Sequence, residues 1–271
     1  MKIHHKNQFQ ELQDGFAGLH ENTVEGLLAP LFETDSPSLL AHRQAVTIDD
    51  MEYELPKLLL LGERGGGVPI RVGIFAGMDA GRLETVAATV RLLLQMELSP
   101  ALARDYAIFA YPLVNAPGFG PEAESHAVQQ RRWARNGREQ DAQYFRGELG
   151  RLAHQGLIQF RSSGVNTTFT ATTRSELLAR EVVAPALRQL AGLVPVGPEP
   201  VRVLSASVEA QRADYGAGRL VPVPGEQPWP FEIELYAPAA APTELRACAL
   251  FLATVEILRG YRRFIAHGGE L

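Results

Sequence analysis

The chain of 271 residues contains one cysteine, Cys248. A single cysteine excludes an internal disulfide. Its place in an apolar helical pattern predicts a buried thiol that resists ionisation and so makes a poor nucleophile. Basic excess is also missing: 26 Lys and Arg against 31 Asp and Glu give a formal net charge of -5. That balance argues against a nucleic-acid surface or an anionic-membrane surface, both of which need surplus cations. Apolar clusters such as "LLLLG" at 58–62 are far shorter than the roughly 20 residues that cross a bilayer. The opening "MKIHHKNQFQELQDG" lacks the apolar core of a secretory signal. A cytoplasmic protein without membrane or nucleic-acid partners is the expectation, and a homo-oligomer is compatible with it. His4 and His5 read as a solvated pair rather than a metal site.

What is present is ordinary for a folded protein: 46% hydrophobic and 21% charged residues, so disorder is not expected. No linker or repeat demands a second unit, and a single α/β domain over 1–271 follows. Phe9, Leu12, Phe16, Leu19, Val24, Leu27 and Leu28 recur at helical spacing, which predicts a helical N-terminal extension over 1–45. Leu58–Leu61 and Ile70–Met78 read as consecutive strands, split by "GERGGGVP". That glycine run lacks the Lys-Ser/Thr ending of a phosphate loop and a following helix, so a hairpin turn is expected. Further strands are expected at 107–115, 157–160, 201–207 and 231–237. Helices are expected after Arg82, at 139–153, at 175–191 with Pro185 as a kink, and from Thr243 to Ile265. Strands alternating with helices predict an α/β fold with a mixed or mostly parallel sheet.

The handover from strand to helix at "FAGMDAGRLET" (75–85) carries Asp79, Arg82 and Glu84, and no histidine, cysteine or serine. Two readings of it stand side by side. In one, Asp79 caps the helix and pairs with Arg82. In the other, which rests on a resemblance to a known family and not on spacing, Arg82, Arg131 and Arg161 line a vacated pocket and bind a carboxylate or phosphate, since arginine forms bidentate pairs with such groups. Glu84 reads as a solvated residue of the first helical turn. Asn115 and Gly118 read as turn-formers, Trp133 as a partly buried anchor, and 214–230 as a loop over the cleft or a plain surface connection.

"IRVGIFAGM", "YPLVNAPGF" (111–119), "GLIQF" leading into Arg161, and "PWPFEIELYAP" (228–238) occur in this order. Together they resemble the zinc carboxypeptidase superfamily, especially its succinylglutamate desuccinylase/aspartoacylase-like branch, from about residue 55 onward. The resemblance implies a mixed, mostly parallel twisted sheet with helices on both faces and a site at strand ends. It also implies a zinc held by two histidines and a glutamate, with a second glutamate as general base. Carried over position by position, Asp79 stands in place of the first histidine, Arg82 of the glutamate and Arg161 of the second histidine. Tyr236 aligns with the general base, and Glu234 lies two residues earlier on the same strand face. Gln130 and Arg131 align with the pair that grips substrate carboxylates.

None of the seven histidines falls at a donor position. A guanidinium does not ligate a divalent cation, so no zinc or other cofactor is expected. The resulting expectation is a catalytically inactive relative whose vacated cleft binds an anionic small molecule or a peptide carboxylate through Asp79, Arg82, Arg131, Arg161 and Tyr236. Two alternatives remain. One is an active hydrolase of peptides or N-acyl amino acids, using displaced donors or metal-free chemistry with Glu234. The other is a scaffold or assembly subunit.

Overall fold

The computed structural model describes residues 23–48, 51–65, 68–119, 156–162, 166–204 and 231–267. Its first helix, α1 (Val24–Glu33), is capped by Thr23, whose hydroxyl accepts the Gly26 N–H at 3.2 Å. It buries Leu27, Leu28 and Leu31. The chain then forms β1 (Leu39–Ile48), β2 (Met51–Leu61) and β3 (Ile70–Phe75), followed by α2 (Leu83–Leu98) and β4 (Tyr106–Tyr111). Beyond residue 155 come β5 (Gly156–Ser162), β6 (Phe169–Thr173), a helical stretch over 176–188 (α3) and β7 (Val196–Val203). β8 (Phe231–Ala237) and α4 (Thr243–His267) complete the described elements. None of the described helices is long and apolar enough to cross a membrane.

The eight strands make one sheet in the order β1-β2-β4-β3-β5-β8-β6-β7. β3 runs parallel to both β4 and β5, β8 parallel to β5, and β7 parallel to β6. The β1–β2, β2–β4 and β6–β8 pairs are antiparallel, so the sheet is mixed and mostly parallel, as the sequence predicts. Alternate residues of the strands point to opposite faces. Val72, Ile74, Ile108, Ile158, Ile233 and Leu235 face the core to which α1–α4 contribute. Phe75, Tyr111 and Leu157 face a second cluster, where the rings of Phe75 and Tyr111 stack at 4.7 Å.

Three local expectations are corrected. Residues 39–45 form a strand rather than part of a helical extension. Ten residues of β1 pair one for one with β2, from Leu39 opposite Leu60 to Ile48 opposite Met51. "GERGGGVP" is not a hairpin turn, because β4 lies between β2 and β3. Glu63 and Gly65 instead lie at the start of β4, where Asp105 accepts the Gly65 N–H at 2.6 Å and its own backbone N–H donates to the Glu63 carbonyl at 2.8 Å. Strand β3 stops at Phe75, so Gly77 and Met78 belong to the turn that follows. Pro185 does disturb its helix: a π-turn over Ala179–Val183 precedes it, which absorbs the missing N–H and the ring's clash with the preceding turn. The helix expected at 139–153 lies outside the described residues.

Candidate functional site at the carboxyl ends of the strands

The parallel strands β3, β4, β5 and β8 all end on one side of the sheet, where open α/β sheets place their binding sites. The turn after β3 is built by its backbone. Gly77 has φ 61°, and a Cβ there would lie 2.7 Å from the Pro112 carbonyl oxygen. Only glycine meets both conditions. The Ala76 N–H donates to Tyr111, the Val114 and Asn115 N–H groups donate to Ala76 and Gly77, and the Gly81 N–H donates to Gly118, all between 2.9 and 3.1 Å. The Asn115 side chain donates to the Met78 carbonyl at 3.3 Å and accepts the Gly118 N–H at 3.0 Å. "NAPGF" therefore braces "FAGMDAG", which is the turn-forming role that its asparagine and glycine suggest.

On this base Asp79 faces β5. One carboxylate oxygen lies 3.2 Å from Nη2 of Arg161, and the other accepts the Ser162 N–H at 2.8 Å. Both side chains keep about a quarter of their surface, 25% for Asp79 and 27% for Arg161. The expected pairing of Asp79 with Arg82 does not form. Arg82 occupies the N-cap position of α2, half-buried and without a side-chain cap bond, while its backbone N–H donates to the Asp79 carbonyl at 3.1 Å. It makes no ion pair among the described residues.

Glu84 corrects a second expectation. It is buried rather than solvated, with its carboxylate 2.6 Å from Nη1 of Arg246 on α4. The Ser162 hydroxyl donates to the same oxygen of Glu84. Arg246 completes the network by donating to the Ser162 hydroxyl at 3.3 Å and to Thr243 at 3.1 Å. Its Nε is buried without a hydrogen-bond partner among the described residues. Ser162 and Arg246 were not singled out by the sequence reading. The available signal was an arginine set among the apolar positions of the last helix, where a buried cation demands an acidic partner.

Strand β8 alternates sharply: Ile233, Leu235 and Ala237 enter the main core, while Glu232, Glu234 and Tyr236 point the other way. Glu234 stands opposite Gln159 and Thr172, and Tyr236 opposite Arg161 and Thr170. Glu234 is 7% exposed; one of its oxygens accepts hydrogen bonds from the Tyr236 hydroxyl and, at 3.2 Å, from Thr172. Glu232 forms a buried ion pair with Arg174 at 3.0 Å. The structure thus brings Asp79, Arg82 and Arg161 to neighbouring strand ends, and Glu234 and Tyr236 to the same sheet face as Arg161. Arg131, Gln130, Trp133 and 214–230 lie outside the described residues.

The three positions aligned with metal donors do not fit a zinc ion. Two carry guanidinium groups, which have no lone pair to give, and both oxygens of the third are engaged by Arg161 and the Ser162 N–H. Among the described residues, no group of three or more His, Cys, Asp or Glu side chains is placed to hold a metal ion. His42 sits on β1 at the far edge of the sheet.

No family model and no curated protein matches the chain by sequence. Solved structures do match its architecture. A candidate metallopeptidase from Shewanella amazonensis superposes with TM-score 0.57 at 16% identity, over 87% of this chain and 91% of the other. A metallo-carboxypeptidase from Burkholderia cenocepacia gives TM-score 0.56 at 13% identity, over 89% of this chain and 68% of the other. Bovine thrombin-activatable fibrinolysis inhibitor, solved in complex with tick carboxypeptidase inhibitor, gives 0.52 at 12% identity, over 89% and 94%. Identities this low carry the fold and leave the chemistry to be argued from this chain's own residues.

Proposed function

We propose, starting from a chain that has the zinc carboxypeptidase fold, that it is a non-catalytic relative whose strand-end cleft holds an anionic small molecule or a peptide carboxylate. One observation supports this reading above the others: where the fold's hydrolases would hold metal, this chain sets the Asp79–Arg161 ion pair, and a further arginine, Arg82, stands at the N-cap of the helix that follows. Without metal donors there is no activated water, and Tyr236 at the base position offers a hydroxyl rather than a carboxylate. Arg82 lies at the start of a 16-residue helix, whose first N–H groups favour negative charge. Because Glu84 and Asp79 are engaged by Arg246 and Arg161, the remaining arginine of this turn, Arg82, makes no ion pair among the described residues. Guanidinium and helix end together suit a carboxylate.

A second reading, an active hydrolase, draws on Glu234, a carboxylate on the same face as Arg161 and Tyr236 that could serve metal-free chemistry. A scaffold role draws on the internal pairing of Asp79 with Arg161. Calorimetric titration with N-acetylated amino acids, together with turnover of N-acyl and dipeptide substrates with and without chelator, separates the three. The proposal expects no turnover, and carboxylate binding weakened about tenfold or more in Arg82→Ala. Chelator-sensitive turnover would restore a metalloenzyme. Chelator-resistant turnover abolished by Glu234→Gln would establish new chemistry. No binding to the wild type would leave the scaffold.

A further inference from the structure

The mismatch between the donor positions and a metal has a positive side. A metal bound at strand ends cross-links them, drawing the turn after β3 to the end of β5. In this chain charge and hydrogen bonding also join those two segments. Asp79 reaches from the turn to two successive residues of β5, taking the Arg161 guanidinium on one oxygen and the Ser162 N–H on the other. Five residues further along, Glu84 takes the Ser162 hydroxyl, and Arg246 closes the circuit from α4. One stretch of chain thus engages both hydrogen-bond donors of Ser162, the N–H with Asp79 and the O–H with Glu84. The Asp79 side of the grip is partly solvated and the Glu84 side is buried.

We infer that the Asp79–Arg161–Ser162 contact is a metal-independent cross-link that replaces a metal as the tie between the β3 turn and the end of β5. The tie is electrostatic at its outer, quarter-exposed end, so salt weakens it and chelators leave it alone. Ser162 acts as the positioning residue, because its backbone N–H fixes the carboxylate that in turn orients Arg161. The inference does not depend on any ligand entering the cleft, so it can stand or fall apart from the proposed function.

The test uses the full-length protein and reads three quantities. The first is the melting temperature of the wild type before and after chelation, which should not change. The second is a mutant cycle of Asp79→Asn, Arg161→Gln and the double variant. Each single change should lower the melting temperature by about 2–6 °C, and the double should lose no more than the worse single. The third is amide hydrogen exchange at Ser162, which should accelerate about tenfold in Asp79→Ala while amides in the middle of α4 keep their protection. Additive losses in the cycle would overturn the inference. So would a wild-type melting temperature that falls on chelation, or a Ser162 amide that exchanges freely in the wild type. The chelation and wild-type exchange measurements need no variant, so a poorly folding substitution does not shield the idea.

Discussion

Glu84→Ala is the change that most directly probes how the strand-end site is built. The carboxylate it removes is 3% exposed at the side chain, its partner Arg246 is 10% exposed, and the two are 2.6 Å apart. Removing one member of a buried ion pair leaves the other charge desolvated and uncompensated, which costs about 3–5 kcal/mol. Thr243 and Ser162 would still accept from Arg246, but neither carries a charge to balance the guanidinium. The Ser162 hydroxyl loses its acceptor as well. For a domain of this size each kcal/mol lowers the melting temperature by about 2–4 °C, so a fall on the order of 10 °C is expected. Glu84→Gln, which keeps an acceptor for the Ser162 hydroxyl, should fall between the wild type and Glu84→Ala. Replacing both partners with methionine should recover part of the loss, because no buried charge is then left alone. Urea denaturation followed by circular dichroism measures all four proteins. A loss below about 1 kcal/mol in Glu84→Ala, the scale of an exposed pair, would refute the reasoning and return Glu84 to a solvated role.

Other outcomes follow from the same geometry. Gly77→Ala puts a Cβ at φ 61° and 2.7 Å from a carbonyl oxygen, so it should cost more than about 2 kcal/mol by denaturant titration, and a neutral result would contradict the turn. Asn115→Ala removes the bonds to Met78 and Gly118 and should cost about 1–2 kcal/mol in the same assay. Burial pushes the Tyr261 hydroxyl up to about 12, and it also raises Tyr106 and the Cys248 thiol. Their neutral forms are thus favoured in the folded protein, and that stability is complete below their unfolded values, near 8.5 for cysteine and 10 for tyrosine. It is lost as pH rises through the folded values. The melting temperature should therefore begin to decline above about pH 8.5 and fall more steeply above about pH 10, and native Cys248 should resist thiol reagents that label it at once in urea.

The class of fold was legible because it rests on local periodicity: the apolar run "RVGIFAGM", the helical spacing from Leu83 to Leu94 and the alternation of "FEIELYA" each carry their own period. β1 was illegible for the opposite reason. "LLAHRQAVTI" has weak alternation of its own, and what makes it a strand is a partner that pairs with it along its whole length. The β2–β3 connection failed in the same way, since no local signal announces that a later strand, Tyr106–Tyr111, will insert between them. At the site, Asp79, Arg82 and Arg161 were singled out by aligning strand-end motifs with those of the resembled family, an alignment that says nothing of which charge pairs with which. Asp79 has Arg82 three residues away and pairs instead across the sheet with Arg161. Glu84 is compensated by a residue on the last helix, a distance in sequence over which charge pattern carries no information.

The construction of the turn explains how donors of a different chemistry can occupy it without disturbing the fold. Its path is set by Gly77, by backbone bonds among 76–81 and 111–118, and by Asn115, none of which involves the side chains of Asp79, Arg82 or Arg161. Those three side chains can therefore change while the turn keeps its path. Asp79, in the turn before α2, compensates the charge of Arg161, and Glu84, in the first turn of α2, compensates that of Arg246. Two separable layers result. Loss of Gly77 or Asn115 should disorganise the turn itself. Loss of Asp79 or Arg161 should leave the turn in place and free the end of β5, so that faster exchange is confined to Ser162 and its neighbours.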